Sequence, residues 1–316
     1  IKAYTQDTEF WFAGYESHNS PNLVAEAGFL FSNPSSNATT ITIEFFDGVS
    51  PSQITFTMPA NSGYHFNETT QPTFVRTRLE NSRTNAGVAA PGGIRITSTE
   101  PITAAVYTGA TYSSDMFTLK GKHALGNEFY VAQISDGYSE NAFNQKSGTT
   151  LNALDQIDIM ATEIGTQVTF TPTKDCVGGF LKNQTYTKTL NRGEVFKLCE
   201  QTQGSRWTIP TTLAGTQITS TTPIVVTSVE DHSNRDAAGD QLIPTSRSAT
   251  QFAVTKGVSY EINERIYVIA RDNGTRVYVN NGTETLHATA TKDGDTLSVY
   301  TGLGRWFNSG GGTSPT

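Results

Sequence analysis

Residues Gly93 to Thr108 read GIRITSTEPITAAVYT, and residues Gly215 to Val229 read GTQITSTTPIVVTSV. In the first stretch Ile94 and Ile96 flank Arg95, and Ile102, Ala104 and Val106 keep the alternation going beyond Pro101. Strict alternation places one face of a strand in a core and the other in water, the mark of antiparallel sheets. Pro101 and Pro223 occupy the same place in each copy, and a proline there is expected to end one short strand and start the next, or to mark an edge. Each copy runs on into an Asp-containing segment, Asp115-Met116-Phe117-Thr118-Leu119 or Asp240-Gln241-Leu242-Ile243-Pro244, and is expected to close on Phe129-Tyr130-Val131 or Phe252-Ala253-Val254. A period of about 120 residues is one domain long, so the chain reads as a tandem array of related modules.

The same alternation recurs at Ile41/Ile43/Phe45, Ile54/Phe56, Ile157/Ile159, Val168/Phe170, Ile266/Val268/Ala270 and Val277/Val279. Between these runs lie turn signals such as Asp47-Gly48, Asn61-Ser62-Gly63, Asp272-Asn273-Gly274 and Asp293-Gly294. A third copy is visible because Ile157–Thr162 with Thr166–Phe170 matches Ile266–Arg271 with Thr275–Val279. That copy runs into Gly310-Gly311-Gly312 before its own proline motif is reached, which reads as a fragment or processed form of something longer. The expected fold is therefore all-β, with tandem antiparallel β-sandwich modules, two complete and a third partial. The expected division is 1–134, 135–256 and 257–316, the last carrying the Gly-rich tail.

Composition narrows the function. The net charge is −7, charged residues make up 16% of 316 residues, and the basic ones are scattered singly, whereas a nucleic-acid surface needs a basic stripe. Thr is prominent among the polar residues, and its stiff β-branched side chain suits a solvated strand face. No apolar run approaches the roughly 18 residues of a membrane helix. Ile1-Lys2-Ala3 leads directly into polar sequence with no visible leader, consistent with a mature, cleaved form. Cys176 and Cys199 bracket a hairpin. A disulfide between them, expected if the protein is extracellular, would close about two dozen residues and add roughly 3 kcal/mol, while two unpaired thiols are the alternative.

Several motifs, taken in order, resemble the IgGFc-binding protein N-terminal domain family. They are Asp7-Thr8-Glu9-Phe10-Trp11-Phe12-Ala13, the GIRITSTEPI stretch, Phe117 to Gly126, Met160 to Pro172, Leu190 to Phe196, and Ile224 to Pro244. The likeness is nearest to bacterial members at the front of large secreted Bacteroidota proteins. It implies an extracellular or cell-surface protein connected with type IX secretion, and it brings no catalytic residues.

Three sets of residues are candidate sites. The loop Glu230 to Asp240 carries four carboxylates, and Asp231, Asp236 and Asp240 have the hard oxygen ligands calcium prefers. The other reading has Asp240, like Asp115, accepting backbone N–H groups and pinning the long connection. Trp11, Trp207 and Trp306 are candidate stacking platforms for sugars, or else core and inter-module packing. Trp11 alternates with Phe10 and Phe12, so at least one of the three faces outward or onto a neighbouring module. The five histidines have no metal-ligand spacing, and hydrolase signatures are missing. The expected function is non-enzymatic adhesion or structural display at a cell surface, with a protein or glycan partner, no nucleic acid and no membrane insertion. The alternatives are a carbohydrate-binding or carbohydrate-cleaving ectoprotein, and a subunit of a surface filament or secretion complex whose partner strand completes the third module.

Overall fold

The computed structural model describes residues 6–14, 24–79, 86–110, 114–133, 155–201, 213–232, 236–252, 266–280 and 284–299. Among them there is no α-helix; strands and short 3-10 turns make up the regular structure. The repeated motif lies on the two longest strands, β7 (Ile94–Ala110) and β14 (Gln217–His232). Each runs unbroken through its proline, so the expectation of two short strands is corrected: the proline marks where one long strand changes partners. The N-terminal half of β7 pairs with β3 (Thr39–Phe45) as far as Ser98, and the C-terminal half pairs with β2 (Val24–Asn33) from Thr103 onward. Pro101 falls in the gap, where the ladder does not need its missing N–H.

The motif's polar residues secure this switch in the same way in both copies. The Ser98 hydroxyl donates to the Glu100 carbonyl and that of Ser220 to the Thr222 carbonyl, both at 2.7 Å. Thr99 Oγ1 accepts the amide of Thr40 at 3.0 Å, and Thr221 Oγ1 accepts that of Gln167 at 2.9 Å. The S-T-x-P core of the repeat is thus a hydrogen-bonded bend.

Around β7 are arranged β1 (Gln6–Phe12), β2, β3, β4 (Gln53–Met58), β5 (Ser62–Phe66) and β8 (Ser114–Thr118), forming a seven-stranded antiparallel sheet. Around β14 the same places are taken by β9 (Gly126–Tyr130), β10 (Asp155–Ala161), β11 (Thr166–Thr171), β12 (Tyr186–Leu190), β13 (Glu194–Cys199) and β15 (Asp236–Gln241). Phe129-Tyr130 therefore opens the second set, as Phe10-Trp11-Phe12 opens the first, and does not close the first copy. An eighth strand of the second sheet, β6 (Ala89–Pro91), comes from the chain between β5 and β7 and pairs with β13. Two strands from within residues 1–134 thus belong to the second sheet.

Each sheet curls around its own apolar interior. Phe10, Phe12, Phe29, Phe66 and Phe74 lead the first core, with Ile41, Ile43, Ile94 and Ile96. Phe129, Phe170, Phe196, Ile157, Ile159, Ile218 and Val226 make up most of the second. Both cores include the alternate residues visible in the sequence, such as Ile41, Ile43, Ile157 and Ile159. Fully burying side chains of this kind contributes about 1.5–3 kcal/mol each.

Residues Ile1–Arg247 make one compact unit, and a second begins at Ser248. In that second unit β16 (Ile266–Ala270) pairs with β19 (Asp295–Val299), and β17 (Arg276–Asn280) with β18 (Glu284–Thr289). These repeat the β10–β13 and β11–β12 pairings, so the third copy reproduces both ladders. Gly294 N donates to the Ala270 carbonyl at 2.8 Å, as Gly193 N does to that of Ala161 at 2.9 Å.

Within the first unit the two sheets meet through a third apolar cluster of Trp11, Ala13, Ala124, Met160, Val195 and Val225. Trp11 stacks on Phe46 with centroids 6.0 Å apart and planes 8° from parallel. The Arg192 guanidinium lies over both rings and pairs with Glu44 at 3.2 Å. Close approach depends on glycine here. Gly193 has φ +80°, and a Cβ on it would stand 2.1 Å from the Phe46 ring; one on Gly93 would stand 2.2 Å from the Met160 methyl.

Cys176 and Cys199 are separate buried thiols, which corrects the expected disulfide. The Cys199 thiol donates to Gln156 Oε1 at 3.1 Å and that of Cys176 to the Lys174 carbonyl at 3.4 Å. Burial, with the Glu200 and Asp175 carboxylates adding to it, pushes the Cys176 thiol up to about 12. A thiol so disfavoured as thiolate is a packing group at neutral pH.

Candidate binding groove

The equivalence of the two sheets allows their outer faces to be compared position by position. On the second sheet, one row across β13, β10 and β14 is Val195, Met160 and Val225, all in the junction cluster. The next is Lys197, Asp158 and Thr227, continuing to Gln241 on β15, and the next is Cys199, Gln156 and Val229. All ten side chains are buried. The first sheet covers them: Val229 belongs to the first core, and the Gln241 amide donates to the Trp11 carbonyl while accepting the Lys120 N–H, both at 2.7 Å.

On the first sheet the matching rows are Gly63, Ser32 and Thr103, then His65, Leu30, Ala105 and Thr118, then Gly28, Tyr107 and Met116. The apolar docking row has become small and polar. The later rows form a shallow open groove of about 430 Å³, lined by Glu26, Leu30, His65, Tyr107, Met116 and neighbouring residues of β7 and β8. Met116 is 61% exposed on the wall of the groove.

Local chemistry builds this groove. Gly28 lies under the Tyr107 ring; a Cβ there would be 2.0 Å from the Phe66 carbonyl oxygen and 3.1 Å from Tyr107 Cε1. The Tyr107 hydroxyl is held by His65 Nε2 and, at 3.4 Å, by Asn67 Nδ2. Burial raises the phenol above its ordinary range, the Asn67 contact opposes this, and the Glu26 carboxylate adds to the rise. Asp115 accepts the N–H groups of Met116 at 2.8 Å and of Gly239 at 2.6 Å, so this carboxylate ties β8 to β15.

The other side of each sheet's bend carries a second repeated surface. On the first sheet Thr55, Thr42, Thr97 and Glu9 stand in one row, and on the second Thr187, Thr169, Thr219 and Glu128 do. Hydroxyl pairs join Thr42 to Thr55 at 3.1 Å and Thr169 to Thr187 at 2.9 Å.

Trp11 and Asp240, two of the candidates read from sequence, do not line the groove. Trp11 is 6% exposed and serves the junction, with its indole N–H on Glu9 at 3.2 Å; Trp207 and Trp306 lie outside the described residues. Asp231 and Asp236 lie on β14 and β15, whose ladder pairs Asp231 with Ala237 and His232 with Asp236; their side chains lie outside the described residues. Asp240 pairs with the Lys120 ammonium and accepts the Gln241 N–H at 2.8 Å. Register also separates the two aspartates: Asp115 opposes Thr108, whereas Asp240 opposes Ser228 and takes the place of Phe117. Among the described residues no three His, Cys, Asp or Glu side chains converge on a point where a metal could sit. The groove residues escaped the sequence reading because Glu26, His65, Tyr107 and Met116 lie on four strands that only the ladder brings together.

The IgGFc binding protein family matches residues 115–305, more than half of the chain, and the chain belongs to that family. No curated protein sequence matches it. One solved structure, titled "Crystal Structure of Thermotoga maritima 1070", is similar at 14% identity and a TM-score of 0.26, over 36% of this chain and 96% of that one; likeness at that level carries no argument.

Proposed function

We propose that this member of the IgGFc binding protein family is an extracellular, non-catalytic protein of adhesion or display type, working at a cell surface through the open groove of its first sheet. The observation that supports this is the contrast of equivalent faces: the second sheet's is filled by its neighbour, while the first sheet's leaves Leu30, Tyr107 and Met116 accessible. A non-enzymatic role agrees with the family. Bacterial, type IX-secreted origin remains part of the proposal, as does a seam between copies at β8 and β9 in place of residue 134.

The test is a screen of the whole chain against glycans and host surface proteins, immunoglobulin Fc among them, with and without EDTA. A hit lost in a Tyr107→Ala, Met116→Ala double variant that keeps its thermal transition supports the groove; a hit that persists sinks it. Loss on chelation would instead support calcium at Asp231, Asp236 and Asp240. Glycan binding is the second reading, favoured by the threonine rows. A glycan hit abolished by Thr42→Val and Thr169→Val, with the groove variant unaffected, would establish it. A strand-completing partner of the third copy would show as protection of β16–β19 backbone amides on mixing.

A further inference from the structure

Resting on the reading of the groove as a binding site, its chemistry also specifies what enters. Three polar groups at the groove are already satisfied. Both oxygens of Asp115 take backbone N–H groups, and the hydroxyl of Tyr107 is shared with His65 and Asn67. Glu26 differs. It is exposed, opposite Gly109 near the end of the β2–β7 ladder, and among the described residues no donor or cation pairs with its carboxylate. Among the described residues no Lys or Arg lines the groove.

The Tyr107 ring, the Met116 thioether and Leu30 line the same groove as Glu26. An anion would meet the Glu26 and Asp115 carboxylates there, in a chain of net charge −7. A sugar would find the Tyr107, His65 and Asn67 groups engaged with one another. A purely apolar group would strip water from Glu26 without compensation. A long basic side chain answers each feature. Its methylenes lie along Leu30 and Met116, its cationic head reaches the unpaired carboxylate, and the tyrosine ring adds a cation–π contact. We propose that the groove of the first sheet receives an arginine or lysine side chain of a protein partner. The second sheet cannot do the same: Tyr107 is replaced by the buried Val229 and Met116 by Gly239.

The experiment titrates the whole chain with a blocked Gly-Arg-Gly peptide and with its lysine, citrulline and glutamate counterparts, followed by calorimetry and by methionine methyl NMR shifts. The expected result is binding of the arginine or lysine peptide that weakens with added salt, perturbs Met116, and falls at least tenfold in Glu26→Gln with unchanged thermal unfolding. Equal binding of citrulline, unchanged binding in Glu26→Gln, or no binding of either basic peptide at millimolar concentration overturns the proposal. The two readings separate in the partner screen. A partner lost with Tyr107→Ala, Met116→Ala but kept by Glu26→Gln leaves the groove in place and removes the basic side chain. A partner kept by both variants removes both.

Discussion

The outer faces of the two sheets share a backbone and have opposite fates. Val195, Met160 and Val225 seal one against its neighbour; Gly63, Ser32 and Thr103 leave the other in water. This row supplies apolar area on one face and withholds it on the other. The same comparison explains Trp11. In a tandem chain the residue most easily read as a ligand platform is the peg by which one copy holds the next.

The strongest way to break the comparison is a charge at matched positions. Val195→Asp places a carboxylate among Trp11, Met160 and Val225, and chemical denaturation should show a loss on the order of 3–5 kcal/mol or no folded protein. Gly63→Asp, the same position on the open face, should stay within about 0.5 kcal/mol. Equal effects would refute the assignment of the faces.

A second contrast is the buried ion pair of the first sheet. Arg78 is 8% exposed, forks onto Asp47 at 2.6 and 2.7 Å, and lies 3.8 Å over the Phe45 ring. Breaking it by Arg78→Met should cost about 3 kcal/mol. Burial alone would raise the Asp47 carboxyl, but the Arg78 fork and backbone amides outweigh it and hold it below its ordinary value. The pair's contribution is therefore whole above about pH 4 and is lost as pH falls through the lower folded value. Arg78→Met should flatten this acid limb in urea melts taken from neutral pH downward.

Turning the open face into a closed one is milder. Ser32→Met, Gly63→Val and Thr103→Val together should change stability by no more than about 1 kcal/mol, yet make the chain self-associate in sedimentation. A monomer with unaltered sedimentation would mean that more than this row directs docking. Smallest of all, Thr42→Val and Thr169→Val should each shift stability by about 0.5 kcal/mol or less and equally in the two sheets, since each removes one exposed hydroxyl pair.

Much of the fold was legible. Alternation at Ile41/Ile43/Phe45 and Ile157/Ile159 marks core-facing strands, and the doubled ITSTxPI stretch exposes the repeat, because a strand's period is local. Less of the site was visible. Asp115 and Asp240 look alike by their place after the motif, but Asp240 lies further beyond its proline than Asp115 does, and the ladders bring them to different registers. The cysteines suit a bridge by separation along the chain, yet neighbouring strands bring their backbones together while each thiol finds an oxygen of its own.

From residues alone come the class of fold, the period of the array and the side of each strand that meets a core, since all three follow from which side chains avoid water along a single strand. Tertiary structure alone decided that β9 belongs with the second sheet, that Trp11 is a peg, and that Tyr107 and Met116 line an open groove. Those outcomes depend on strands far apart in sequence meeting side by side, and on which apolar surface finds a neighbour of matching shape.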